Sequence, residues 1–270
     1  MPLLPPNRRT LLALLVMASL PVARADTAAG RTAFEAKDYG RAAQAFREPA
    51  DAGDASAQYY LGLLHERGWG FVADLSQAAG WYRKAALQGH PKAQHNLAAL
   101  LHDGAGVPRD PGAALEWYQR AAAQGSAKSA QRLGTMYYQG DGVTRDFDKA
   151  RAFWAQAFAG GEADAGYNLG ILARRGMDRP PDMAAAIGWW DKAAHAGSAL
   201  ARNALGEAYL RGQGVGPDPM TAWALFRLAA DAGVTSAEQS AALLFAQFDG
   251  NAQDAARRRL KDFATPVTKP

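Results

Sequence analysis

One glycine recurs every 36 residues through most of the chain, at Gly53, Gly89, Gly125, Gly161, Gly197 and Gly233. Other positions keep the same register. Leu61, Leu97, Leu133, Leu169 and Leu205 hold one of them, and Gly62, Gly134, Gly170 and Gly206 follow directly, with Ala98 in the second unit. Aromatic pairs hold another: Trp81-Tyr82, Trp117-Tyr118, Phe153-Trp154 and Trp189-Trp190, weakening to Leu225-Phe226. A period of this length marks a repeat architecture, in which no unit buries its apolar face alone and neighbours must stack. The units run 54–89, 90–125, 126–161, 162–197 and 198–233.

The repeat decides how the loops are read. "YYQGDGVTRDFDKA" (137–150) has the glycines of a phosphate cradle and the aspartates of a calcium loop. Counterparts at 66–78, 102–114, 174–186 and 210–222 make it punctuation between two helices. Ser126 is the expected N-cap of the first helix in its unit, and Gly140 its left-handed stop. Asp74, Asp110, Asp146, Asp182 and Asp218 stand at the start of each second helix, where a carboxylate accepts the free N–H groups of the first turn. Pro111 and Pro219 follow two of them, at the position where proline costs nothing. The fourth turn departs from the rest, with Met177, Asp178, Arg179, Pro180 and Pro181 in place of glycine-valine.

Residues 1–25 read separately. Arg8 and Arg9 precede an apolar run (Leu11–Leu20) and the small residues of Ala23-Arg24-Ala25. That order is a secretory signal peptide, and the run falls far short of the ~20 residues that span a bilayer. Cleavage near Ala25, by the general secretory route before the twin-arginine one, predicts an exported protein, periplasmic or secreted. Of 30 basic residues the leader holds three, which leaves 27 against 26 acids, so the basic balance of the whole chain is no argument for nucleic acid. Cysteine is absent, so neither disulfides nor a lipidated cysteine is available.

Catalytic constellations are not found. There is no Gly-x-x-x-x-Gly-Lys, Gly-x-Ser-x-Gly or Ser-x-x-Lys, and His65-Glu66 begins a zinc-protease motif that Trp69 ends. His95 and His102 lie seven residues apart on one helix, ~10 Å along its axis and too far to share a metal. His90 and His195 fall in or near turns. The basic run 256–263 reads as a solvated helix face, with an anionic surface as its minority partner.

The full pattern (Ala, Leu-Gly, Gly-x-Gly-Val, Asp, Ala, Trp-Tyr, Ala-Ala, Gly) resembles the Sel-one-like repeat, the 36-residue relative of the tetratricopeptide repeat. The resemblance covers 54–233. It implies an all-α, right-handed α-solenoid of helix-turn-helix repeats with a 36-residue period. Residues 26–53 are expected to form a shorter partial repeat in which Pro49 shortens or kinks a helix. Residues 234–264 then supply capping helices, and 265–270 a flexible tail. The paired cysteines of members described as acting on β-lactams are missing.

By the same resemblance such proteins are adaptors. First helices line a concave groove, and its side chains lie outside the motif. The candidates are Tyr59, Glu66, Lys92, His95, His102, Lys128, Gln131, Tyr138, Tyr167, Arg174 and Asn203, with the three tyrosines expected to be exposed as binding anchors. The implied function is a non-catalytic scaffold for a protein or peptide in the bacterial envelope. No cofactor, metal or nucleic acid is expected, and a monomer is. The alternatives are a cell-wall glycan binder that stacks sugars on Tyr59, Tyr167 and Trp69, or a cryptic hydrolase.

Overall fold

The computed structural model describes residues 27–264. The leader and the final six residues, with the expectations attached to them, lie outside the described residues. Fourteen helices account for the regular structure among the described residues, and the chain divides into two compact units, the first ending at Gln88 and the second beginning at Gly89.

In the first unit α1 (Ala28–Glu35) pairs with α2 (Tyr39–Asp51), and α3 (Ala55–Arg67) with α4 (Leu75–Leu87). Phe46, Leu61, Leu64 and Trp81 fill the core. Each pairing depends on a glycine. A Cβ on Gly30 would lie 2.5 Å from the Phe46 ring, and one on Gly62 would lie 2.6 Å from Tyr82. The partial repeat is therefore a complete hairpin with a short first helix. Pro49 does not shorten α2, contrary to the expectation. The helix runs its full 13 residues with Pro49 buried in its last turn. There the missing amide forfeits a single hydrogen bond.

The second unit repeats the hairpin four times: α5 (Pro91–Asp103) with α6 (Pro111–Ala123), α7 (Ala127–Gln139) with α8 (Phe147–Ala159), α9 (Ala163–Arg175) with α10 (Met183–His195), and α11 (Ala199–Arg211) with α12 (Pro219–Asp231). Then α13 (Thr235–Phe245) and α14 (Gly250–Ala264) both pack on α12. They cover Trp223 and Phe226 with Ala237, Leu244 and Ala256.

One repeat shows how sequence becomes structure. Ser126 caps α7 by accepting the Ser129 N–H, and α7 ends where Gly140 adopts φ +76°. The Asp146 N–H returns to the Tyr137 carbonyl at 3.0 Å, which closes the loop, and the Asp146 carboxylate caps α8 through the Lys149 N–H at 2.9 Å. The second glycine does something that spacing alone did not show. Gly142 has φ +71°, and a Cβ there would sit 2.6 Å from Pro111 at the start of α6. The turn is thus a seat for one repeat on its predecessor as well as a helix stop.

The fourth repeat replaces this seat with charge. Asp178 faces Arg151 of α8 at 3.2 Å, and Arg179 faces Asp148 at 2.6 Å. Arg179 stands where the third repeat has Val143. Nearby, Leu169, Leu172, Met183, Pro181 and Trp189 line a cavity of about 600 Å³ with Arg151 and Arg179.

Candidate functional site

Three of the residues expected to line a groove come together in the second unit. His95 on α5 and Lys128 and Gln131 on α7 join Arg132, Thr135 and Glu162 around a depression of about 320 Å³. The helix starts place them. Pro91 and His90 begin α5, with the His90 Nδ1 accepting the Ala93 N–H at 3.2 Å, and Ser126 begins α7. Lys92 and Lys128 are consequently the second residues of their helices, exposed at the positive end of each helix dipole.

The floor of the depression is polar. Ser129, with no exposed surface, takes the position held by Ala57, Ala93, Ala165 and Ala201 in the other repeats. Its Oγ lies 2.9 Å from His95 Nδ1 and 3.0 Å from Ser126 Oγ. Behind the imidazole stands the Tyr118 ring at 5.4 Å. Burial, then the positive charges of Arg132 and Lys128, push His95 down to about 4, so its ring is neutral near pH 7. Burial pushes the Tyr118 hydroxyl up to about 12.

A serine beside a histidine is the start of a nucleophile and its base. Here the serine is sealed in the core, and a helix cap shares its hydroxyl. The pair lies beneath Lys128 and Arg132 with its hydrogen-bonding atoms turned to each other and to the cap. Among the described residues no group of His, Cys, Asp or Glu is arranged to hold a metal ion.

Several of the other expected residues contact neighbouring side chains of the fold, and Lys92 stands exposed outside the depression. His102 reaches across repeats to Asp141 (Nε2 to Oδ2, 2.9 Å), and its Nδ1 lies 2.7 Å from Asp103. Arg109 donates to both oxygens of Asp141 at 2.8 and 3.0 Å. Burial raises the Asp141 carboxyl, but Arg109 and then His102 outweigh it and hold the group below the usual carboxylate range. Arg174 lies over the Trp190 ring at 5.4 Å, and Asn203 donates to Glu207 at 3.4 Å.

The tyrosine expectation needs correction. Tyr59, Tyr138 and Tyr167 are half-buried, because glycine and alanine bring the paired helices close enough for these rings to meet neighbouring side chains. Tyr138 packs 5.4 Å from Trp154, and its hydroxyl accepts from Arg175 at 2.7 Å. Tyr167 lies against the core around Trp190. In the first unit Tyr59 lies 5.4 Å from Tyr60, while Tyr82 donates its hydroxyl to Glu66 at 2.5 Å. Trp69 stacks on Tyr39 at 4.6 Å and covers the first core.

Sequence reasoning missed Ser129, Arg132 and Glu162 as members of the site. Two signals were present. Ser129 interrupts an alanine register. Glu162 occupies the N-cap position that Asp54, His90, Ser126 and Ser198 fill with capping side chains, yet its own side chain makes no capping bond. A buried glutamine was missed as well: Gln94 accepts from Gln124 at 2.8 Å, tying the end of α6 to α5.

A stack of uniform helical hairpins, with chemistry confined to variable positions on first helices, defines a helical repeat scaffold. The Sel1 repeat family matches at 55–90, 91–126, 127–162, 163–198 and 199–234, and the chain belongs to that family. Among solved structures it is similar to a Sel1 repeat protein from Oxalobacter formigenes, at 26% identity and a TM-score of 0.77, covering 88% of this chain and 98% of that one. It is also similar to a protective antigen present in uropathogenic Escherichia coli strains that displays an SLR fold, at 32% identity and a TM-score of 0.76. That alignment covers 86% of this chain but only 52% of the antigen, so the chain spans about half the antigen's length. No curated protein matches the chain. No helix among the described residues is long and apolar enough to cross a membrane.

Proposed function

We propose that this Sel1 repeat protein is an exported, non-catalytic adaptor of the bacterial cell envelope that holds a protein or peptide partner on the first-helix face of its second unit. The observation that carries the reading is the depression around His95, Lys128 and Gln131. Its lining is polar and irregular, whereas the core beneath repeats from unit to unit. A rigid scaffold that presents such a surface binds with little ordering cost. The glycan alternative loses support because its stacking rings, Tyr59, Tyr167 and Trp69, are engaged in packing.

The test is site-specific photo-crosslinking in cells that express the full chain. A crosslinker at Lys128 or Gln131 should trap a discrete protein, and one at the exposed Glu116 of α6 should not. Equal trapping at all three positions, or none at 128 and 131, overturns the reading.

A further inference from the structure

The fourth hairpin lacks a ring that the third supplies for itself. In the third, Tyr137 is buried near the end of α7 and stacks on Phe153 of α8, with ring centroids 5.6 Å apart and planes within 9°. Lys149 lies over the same ring at 5.2 Å, and Gln119 of α6 donates to its hydroxyl at 3.2 Å. One period on, Ala173 stands for Tyr137, Trp189 for Phe153, Ala185 for Lys149 and Ala155 for Gln119. The aromatic wall is kept and enlarged, while the side chains that packed around it are cut back to methyl groups.

The other repeats do not share this loss. His65, Leu101 and Tyr209 hold the Ala173 position in the first, second and fifth. The turn departs in the same sense. Phe71, Val107, Val143 and Val215 are half-buried apolar residues at one position of the loop, and the fourth repeat has the exposed Arg179 instead. In the first repeat the two positions touch, His65 stacking on Phe71 at 4.3 Å. Both losses fall on one spot. Ala173, Ala185, Trp189 and Arg179 all line the cavity of about 600 Å³, together with the buried Leu169 and Leu172. Apolar lining that faces an open cavity forgoes the packing contacts its counterparts make.

We propose that this cavity takes the aromatic side chain of a polypeptide partner, a tyrosine or phenylalanine ring that stacks on Trp189 as Tyr137 stacks on Phe153. The molecule's own repeats identify the occupant. Three of the four counterparts of Ala173 are rings, His65, Tyr137 and Tyr209, and Tyr137 shows how such a ring, carried on a peptide backbone, meets the facing aromatic. An aliphatic side chain would fill the space without the stacked contact that an aromatic pair adds. The volume exceeds that of one ring and leaves room for the chain that carries it. Arg151 and Arg179 line the cavity with their guanidinium groups committed to Asp148 and Asp178, so charge is not what it selects for. The cavity shares no lining residue with the depression around His95, so this site goes beyond the adaptor surface proposed there and its test stands or fails separately.

The experiment is fluorine NMR of the purified full-length chain carrying fluorotryptophan, with the Trp189 resonance assigned from Trp189→Phe. Three probes are titrated: the capped peptide Gly-Ser-Tyr-Ser-Gly, its leucine counterpart, and p-cresol, the tyrosine side chain alone. The tyrosine peptide should move the Trp189 resonance saturably and bind about tenfold tighter than the leucine peptide. Ala173→Tyr and Ala173→Leu restore the side chains of the third and second repeats, and each should abolish the response with helical content unchanged. Should the tyrosine variant fail to fold, the leucine variant decides. An unmoved Trp189 resonance, equal affinity for the two peptides, or an undiminished response in the folded Ala173 variants overturns the inference. Movement with p-cresol and none with the tyrosine peptide overturns it too, and assigns the cavity to a free aromatic molecule.

Discussion

At the scale of single residues, the caps separate what the sequence announces from what it conceals. An aspartate before a helix is legible because the free N–H groups of a first turn need an acceptor wherever the helix lies. Asp218 shows the full form, accepting the Met220 and Thr221 N–H groups at 3.1 and 3.0 Å and the Thr221 hydroxyl at 2.7 Å. Burial raises its carboxyl, but the Thr221 hydrogen bonds, Arg259 and the Met220 N–H hold it below its ordinary value. Asp218→Ala should cost about 1 kcal/mol at neutral pH. The folded carboxyl titrates below the unfolded one, so this contribution is fully present above the ordinary carboxylate pKa of ~3.9 and is lost as pH falls through the folded value. Urea unfolding at pH 7 and pH 3 should therefore show a wild-type advantage that shrinks in acid. An advantage that grows in acid would contradict it. The members of the site were less legible. Burial and the field of neighbouring helices decide what Ser129 and His95 do, and neither can be read one residue at a time.

For the elements, period and composition were enough to recognise paired helices every 36 residues, because the leucine, glycine and aromatic registers follow the demands of helix pairing. Distances assign the jobs within that pairing. A Cβ on Gly170 would stand 2.2 Å from the Trp190 indole nitrogen, which donates to the Tyr167 carbonyl at 3.2 Å. Gly188, in the same hairpin, has nothing within 4 Å of where its Cβ would be. Two identical substitutions should then have opposite signs. Gly170→Ala should destabilise by roughly 1–3 kcal/mol through overpacking, and Gly188→Ala should stabilise by roughly 0.5–1 kcal/mol as a helix-interior glycine is replaced. Denaturant midpoints of the two variants check this, and shifts in one direction for both would refute the packing account. Pro49 and Gly142 mark where pattern failed. The first is tolerated by its place in a last turn, and the second is required by a neighbouring helix that no local window contains.

The molecule as a whole was legible as an all-helical stack of repeats, since a 36-residue period leaves little else for the chain to form. The candidate face was legible in part, since register named His95, Lys128 and Gln131, but burial decides which variable positions meet. Export belongs to this scale. Mass spectrometry of the protein recovered from a bacterial periplasm should give an N-terminus at Asp26, and an intact leader on protein held in the cytoplasm would remove the envelope from the proposal. The fourth turn has a consequence of its own. Where Gly142 and Gly214 seat backbone against the preceding hairpin, the corresponding join between α8 and the fourth turn rests on Arg151, Asp148, Asp178 and Arg179. Counter-ions screen exposed charges and leave steric contacts untouched. Raising ionic strength should speed amide hydrogen exchange around residues 176–182 while the turns at 140–146 and 212–218 keep their rates, so a stack built of nearly identical parts should have one joint that responds to the salt around it.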